Sequence, residues 1–191
     1  GIPDDAIVAI HTGAMGMVNG LVKFSKKVAI KFPGIYFVYI GNGKEKSELM
    51  EMSKQYHNLL IGDIVPKIEL NQLLNDSDIL LMLVNPAYPI FETNSANKFF
   101  DYLAIGNKPI FMNYKGWKYE LLKNSDHVYY IDQLNFDQVK AYIDEATSKN
   151  KINALAGEMT ARAIAREKFE KQIITKKVVE ILEDSAGSSI H

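Results

Sequence analysis

The chain has 191 residues, 47% of them hydrophobic, and a formal net charge of −1 at pH 7, which is the size and composition of one soluble globular domain. The near-neutral charge argues against nucleic acid as a partner, and the absence of cysteine excludes disulfides, thiolate metal sites and cysteine nucleophiles. No apolar run reaches the roughly 18 residues that span a bilayer, and no signal peptide is present, so we expect a cytoplasmic protein.

Strands and helices alternate along the chain. Short apolar runs bounded by turn residues predict strands, and these cover residues 6–11, 34–40, 58–61, 79–84, 109–113 and 127–131. Longer amphipathic segments predict helices, which lie within residues 20–32, 44–57, 66–75, 96–105, 118–124, 136–148, 152–169 and 172–183. This alternation is typical of right-handed βαβ units. The predicted fold class is therefore α/β, with a doubly wound, mainly parallel, Rossmann-like sheet.

The predicted elements form a single domain. We expect it to cover residues 1–184, with a frayed tail over residues 185–191. The chain starts abruptly, with a short polar segment and then a strand, as expected of a domain cut from a longer protein.

The turn after the first strand is rich in glycine. Residues 12–20 read Thr-Gly-Ala-Met-Gly-Met-Val-Asn-Gly, which matches neither the Gly-x-Gly-x-x-Gly order of dinucleotide-binding folds nor the ending of a P-loop. Gly13 and Gly16 would let the backbone approach a ligand closely, but a tight turn would need glycine as well. His11 ends the preceding strand, where a histidine satisfied within the core is the simpler expectation.

The strongest functional signal follows the apolar run at residues 79–84, which predicts a buried parallel strand. Three polar residues, Thr93, Asn94 and Ser95, come before a helix that begins at about residue 96. Gly106 stands where a helix C-cap belongs. The carboxyl end of a strand therefore delivers a helix N-terminus to the sheet edge, where open α/β sheets bind ligands and free N–H groups meet anions.

Lys98 is an unusual residue for the first turn of that helix. First turns usually carry acidic side chains, which complement the positive end of the helix dipole, and a bound phosphate would compensate for the lysine. The alternative is a helix capped by Asn94 or Ser95, with Lys98 in solvent or paired with Asp101 at i+3. The residues alone leave both interpretations open.

Residues 92–110 read Glu-Thr-Asn-Ser-Ala-Asn-Lys-Phe-Phe-Asp-Tyr-Leu-Ala-Ile-Gly-Asn-Lys-Pro-Ile. This stretch resembles the nucleotide-sugar signature of retaining GT-B glycosyltransferases, in particular glycosyltransferase family 4. Residues 13–20, 40–43, 62–66 and 75–79 resemble further motifs of that family, in the same order. Ala14 and Asn19 stand where members often carry Arg and Lys, which leaves Lys98 as the expected substitute at the diphosphate. Glu92 and Asp101 have eight intervening residues, one more than is usual in the family.

The resemblance implies the C-terminal, donor-binding half of a GT-B enzyme, with the N-terminal acceptor-binding domain absent from this chain. The implied activity is retaining transfer of a hexosyl or N-acetylhexosaminyl unit from a nucleotide-diphospho-sugar to a cell-surface polysaccharide or lipid-linked acceptor. The donor is expected to be UDP-linked, and no cofactor or metal is expected. The fragment should be inactive alone. Any membrane contact would be peripheral, at the inner face, through the absent half.

The resemblance also assigns roles to residues. Glu92 is the expected catalytic residue and faces the donor sugar, and Asp101 accepts hydrogen bonds from the ribose hydroxyls. The nucleotide- and phosphate-binding residues are expected to be Gly13, Gly16, Asn19, Asn94, Ser95, Asn97, Lys98 and Asp101. Two alternatives stay open: half of a GT-B UDP-sugar 2-epimerase, whose acid–base carboxylates are not evident in this half, and a non-catalytic doubly wound ligand-binding domain.

Overall fold

The computed structural model of the chain describes residues 1–28, 31–88, 97–125, 127–131, 135–153 and 161–187. Within these ranges one parallel sheet is formed by β1 (Ile7–Ala14), β2 (Ile35–Asn42), β3 (Leu59–Gly62), β4 (Ile79–Met82), β5 (Ile110–Met112) and β6 (Val128–Tyr130). The described helices are α1 (Leu21–Val28), α2 (Lys46–Ser53), α3 (Lys67–Asp76), α4 (Asn97–Ile105), α5 (Trp117–Leu122), α6 (Phe136–Asn153), α7 (Ala161–Phe169) and α8 (Lys171–Gly187).

The strand order places a topological switch point between β1 and β4. The strands lie in the order β3-β2-β1-β4-β5-β6, and the pairings between them are parallel. The chain builds outward from β1 to β3 and then returns to the other side of β1 to add β4. Ligands of open α/β sheets bind in the crevice at the carboxyl ends of such strands. The predicted doubly wound α/β class is confirmed.

Each face of the sheet carries its own apolar layer. In β4, Ile79 and Leu81 pack with the side chains of α1, α2 and α6, whereas Leu80 and Met82 pack with those of α4 and α7. A strand buried on both faces needs apolar side chains at every position. This explains the continuous apolar run that the sequence shows at β4, and it places α1 and α4 on opposite faces.

β1 is longer than predicted. It continues past His11 to Ala14, because residues 12–14 pair with residues 40–42 of β2. The close approach depends on glycine, since a Cβ atom on Gly41 would lie 1.9 Å from the carbonyl oxygen of Gly13. The first three residues of the predicted glycine-rich turn are therefore strand, and β1 carries Gly13 to the crevice.

The predicted start and end of α4 are close to those observed. The helix is described from Asn97 to Ile105, and Gly106 follows with a φ of +81°, the left-handed C-cap conformation that the sequence predicts. Arg162 of α7 donates from Nε to the carbonyl of Ala104 at 2.8 Å. A cation thus satisfies a free carbonyl at the negative end of the helix dipole.

Other helix boundaries differ more from the sequence pattern. α2 ends at Ser53, because the next turn tightens: the N–H groups of Gln55 and Tyr56 both bond to the Met52 carbonyl. Pro66 precedes α3 as its N-cap instead of occupying the first helical position. Residues 152 and 153, predicted to begin α7, belong to α6, and residues 154–160 lie outside the described ranges. α8 continues to Gly187, three residues into the predicted tail.

Candidate functional site

The carboxyl ends of β1 and β4 form a crevice at the switch point, and two helix N-termini flank it. α1 begins at Leu21, after the loop that follows β1, and α4 is described from Asn97. Because β1 and β4 are parallel and α1 and α4 each follow one of them in the chain, both helices start from the same edge of the sheet, on opposite faces. Helix N-termini at such an edge are suited to binding anions.

The loop between β1 and α1 is held closed by its own hydrogen bonds. Asn19, which is 5% exposed, donates its side-chain amide to the Ala14 carbonyl at 2.6 Å and its backbone N–H to the Gly16 carbonyl at 2.8 Å. The Asn19 amide thus fixes the loop, with Gly16 in its turn. Gly13 lies at the exposed end of β1 with a φ of +96°.

The N-terminus of α1 already binds a carboxylate of this chain. Glu45, which immediately precedes α2, accepts the backbone N–H of Leu21 at 3.0 Å. Burial raises the pKa of Glu45, and hydrogen bonds from the N–H groups of Leu21 and Val22 oppose that rise. Sequence reasoning missed this contact, which caps one helix from another. Of the two flanking helices, α4 is therefore the candidate for binding an external anion.

Lys98, in the first turn of α4, contacts the buried His11 of β1. Its Nζ lies 2.8 Å from Nε2 of His11, and a Cβ atom on Gly13 would lie 3.6 Å from its Cε. Lys98 is only partly exposed, with its amine against His11. The described ion pair of Asp101 is with Lys67 of α3 and not with Lys98. The structure therefore brings Gly13 and Lys98 together at the crevice end of β1.

The surroundings of Lys98 are basic and poorly solvated. Burial, and then the charge of Lys118, lower the pKa of Lys98 to about 7. Lys118 of α5 is itself buried, burial lowers its pKa to about 8, and its Nζ lies 5.3 Å from the Trp117 ring centroid. Sequence reasoning missed Lys118, because lysine is rarely buried. An anion close to Lys98 would favour its charged form.

Tyr102 fixes α4 against the two strands of the switch point. Its hydroxyl accepts a hydrogen bond from the backbone N–H of Thr12 in β1 at 3.2 Å and donates one to the carbonyl of Leu81 in β4 at 3.3 Å. All three groups are buried. Buried hydrogen bonds of this kind specify one arrangement, so they hold Lys98, one turn earlier in α4, close to β1.

The remaining predicted residues divide into two groups. Asn97 is exposed at the first described position of α4, and Asp101 lies about one turn further along, partly buried in its ion pair with Lys67. The others fall outside the described residues: Glu92, Asn94 and Ser95.

Within the described ranges, no group of His, Asp and Glu side chains is arranged to hold a metal ion. None of the helices described there combines the length and the apolar character needed to cross a membrane. The fold and the site together define a Rossmann-like α/β domain with a basic crevice at its switch point.

No protein-family model matches the sequence, and no curated protein matches it significantly. The fold is similar to that of solved glycosyltransferases. HepE of Anabaena in complex with UDP-glucose gives a TM-score of 0.68 at 16% identity, covering 94% of this chain and 49% of that chain. AviGT4, a glycosyltransferase involved in avilamycin A biosynthesis, gives a TM-score of 0.62 at 17% identity. The match covers 94% of this chain and 51% of that chain. A glycosyltransferase of Rickettsia africae gives a TM-score of 0.70 at 15% identity. The match covers 95% of this chain and 48% of that chain.

These identities show the fold alone. The chain spans about half the length of the structures it matches. The Rossmann-like α/β fold that the sequence predicts is thus shared with about half of each of these glycosyltransferase structures.

Proposed function

We propose that this chain is the donor-binding domain of a retaining GT-B glycosyltransferase of the family 4 type. The observation that carries the proposal is Lys98: a partly buried cation at the N-terminal end of α4, beside the switch point, whose described hydrogen-bond partner is a histidine and not a carboxylate. A buried cation is unfavourable without an anion. A diphosphate at the end of α4 supplies that anion.

The chemistry of transfer requires stabilisation of a departing nucleoside diphosphate. Preorganised donors placed where charge develops stabilise the transition state most effectively. In this proposal the N–H groups of α4 and the Lys98 ammonium act on the diphosphate, without a metal. We assign Asn94, Ser95 and Asn97 to the phosphates as well, and Gly13 and Gly16 let the backbone of the β1–α1 segment approach them.

The nucleoside and the sugar occupy the two sides of the diphosphate. Asp101, one turn into α4, binds the ribose hydroxyls of a nucleotide that we expect to be uridine, as in the UDP complex of HepE. This carboxylate also forms an ion pair with Lys67 of α3. Glu92 is assigned to the donor sugar. Acceptor and sugar are proposed to be those of polysaccharide or lipid-linked glycan assembly in the cytoplasm.

A second half of the protein would bind the acceptor. The matched structures are about twice as long as this chain, which supports an absent partner domain. α8 leaves a row of apolar side chains partly exposed: Ile174, Val178, Val179, Ile181 and Leu182. Apolar surface of this kind often marks an interface, and we assign part of it to contact with that half.

Calorimetric titration of this chain with UDP-glucose, UDP-N-acetylglucosamine and GDP-mannose tests the proposal. We expect weak binding of at least one of them. If none bound, the alternative of a doubly wound domain with another ligand would be favoured. Inversion of configuration at C2 of the N-acetylglucosamine unit of UDP-N-acetylglucosamine by the complete protein, with no acceptor needed, would instead indicate a 2-epimerase.

A further inference from the structure

Lys98 and His11 form a contact between two basic side chains. Nζ and Nε2 lie 2.8 Å apart, a hydrogen-bond distance that requires one of the two atoms to donate and the other to accept. An ammonium and an imidazolium are both donors only. The contact therefore excludes the state in which both side chains are protonated, and the pair carries at most one positive charge.

The other nitrogen of the ring decides which residue can carry that charge. Nδ1 of His11 lies 3.2 Å from the carbonyl oxygen of Leu81, which only accepts, so Nδ1 holds the proton of a neutral ring. Nε2 faces Lys98 Nζ at 2.8 Å and, at longer distances, the Ala14 carbonyl at 3.3 Å and the Asn19 amide at 3.4 Å. Because the Ala14 carbonyl already accepts the Asn19 amide at 2.6 Å, the shorter contact with Lys98 assigns the Nε2 lone pair to Lys98. Burial and the nearby Lys98 hold the pKa of His11 well below its usual value. His11 is thus the neutral acceptor and Lys98 the donor.

Among the described residues, the charged groups around this pair do not compensate a charge on Lys98. Lys118 of α5 repels it. Asp101 of α4 is engaged by Lys67 of α3, and Glu45 is hydrogen-bonded at the start of α1. Two buried tyrosines also lie beside the pair: Tyr102, bonded to the ends of β1 and β4, and Tyr39 of β2, edge-on to His11 at a centroid distance of 6.1 Å. Burial and the charge of Lys118 lower the pKa of the Lys98 amine to about 7.

We propose that the donor diphosphate binds together with one proton from solution, which the Lys98 amine takes up, while His11 is the neutral positioning residue that holds this amine at the end of β1. The inference rests on the proposed function. No bond is made or broken other than the N–H bond of the ammonium, and the proton comes from the solvent. The diphosphate charge stabilises the protonated amine, so binding and protonation favour each other.

Proton uptake can be measured directly by titrating the chain with UDP-glucose in two buffers of different ionisation enthalpy, Tris and HEPES, at pH 8. The diphosphate of UDP-glucose does not titrate near this pH, so any uptake belongs to the protein. We expect uptake to approach one proton at pH 8 and to approach zero at pH 6. Affinity should fall with rising pH above neutrality, by up to about tenfold per pH unit.

Variants separate the roles of the two residues. Lys98→Arg carries a permanent charge, so it should bind UDP-glucose without proton uptake and with little pH dependence. His11→Gln keeps an uncharged acceptor and should retain affinity within a few fold and the same uptake, whereas His11→Leu should lose about tenfold in affinity. Lys54→Arg is the matched control, because Lys54 is exposed and paired with Glu51. It should behave as the wild type.

The outcomes distinguish this inference from the proposed function. Binding of UDP-glucose at pH 8 with no proton uptake, or with the same uptake in Lys98→Arg, would overturn the coupling and leave the proposed function standing. Equal losses in His11→Gln and His11→Leu, with both variants folded by circular dichroism, would overturn the positioning role. If no nucleotide sugar bound at either pH, both proposals would be wrong.

Discussion

Replacing Lys98 with Met should stabilise the chain when no ligand is bound and should change how its stability depends on pH. The substitution removes an amine from a desolvated position and keeps an unbranched side chain. The pKa of this amine falls from its usual 10.5 to about 7 in the folded chain. Between these two pH values the unfolded chain binds more protons than the folded one. The stability of the wild type therefore rises with pH across this window.

The size of the effect follows from the same two values. One pKa unit corresponds to about 1.4 kcal/mol, so Lys98 lowers the free energy of unfolding by about 4 kcal/mol at pH 7 relative to pH 11. The free energy of unfolding should recover about 2 kcal/mol of this loss as the pH is raised from 7 to 9. Below pH 7 the loss is nearly complete and changes little.

Urea denaturation followed by circular dichroism, at pH 7 and pH 9 without ligand, measures this effect. The wild type should gain about 2 kcal/mol more than Lys98→Met between the two pH values. The lowered pKa of Lys118 acts in both proteins, so only the difference between them is assigned to Lys98. Lys54→Met, at an exposed position, should follow the wild type. Parallel pH profiles for wild type and Lys98→Met would refute the account of Lys98 as a desolvated amine.

Three further predictions concern the roles of single residues and of the chain alone. Asp101→Asn should weaken UDP binding modestly, and Asp101→Ala should weaken it further. If the wild type bound UDP and 2′,3′-dideoxy-UDP with equal affinity, the ribose contact would be excluded. Glu92→Ala should reduce sugar transfer by the complete enzyme and leave UDP binding to this chain nearly intact; a parallel loss of both would contradict its assignment to the sugar. This chain alone should neither transfer sugar nor hydrolyse the donor quickly, because positioning of donor and acceptor supplies much of the rate. If its turnover matched that of a complete enzyme, the division into a donor-binding and an acceptor-binding half would be wrong.

The parts of the fold that follow from local chemistry could be predicted from the sequence. The apolar run of β4 and the glycine after α4 each act through neighbouring residues, and both were predicted close to their observed positions. The extension of β1 to Ala14 could not be predicted, because Thr12 and Gly13 resemble a turn. They become strand only through pairing with β2, where Gly41 permits the close approach.

The site could be predicted only where one segment carries it. Lys98 was identifiable, since a cation in a helix first turn is locally unfavourable. Its contact with His11 joins residues 87 positions apart, which no local pattern contains. Lys118 was missed because lysine is rarely buried, and Glu45 because it caps a helix that begins 24 residues earlier. Each of these contacts depends on how the elements pack.

The most direct test of the central claim compares UDP-glucose with uridine, which has no phosphate, for wild type and Lys98→Ala by calorimetry. If Lys98 and the N-terminus of α4 bind the diphosphate, the variant should lose about 1.5–3 kcal/mol in binding UDP-glucose, the range for hydrogen bonds to charged groups. Its affinity for uridine should not change. Unchanged affinity for UDP-glucose, or an equal loss for both ligands, would contradict the assignment of Lys98 to the diphosphate.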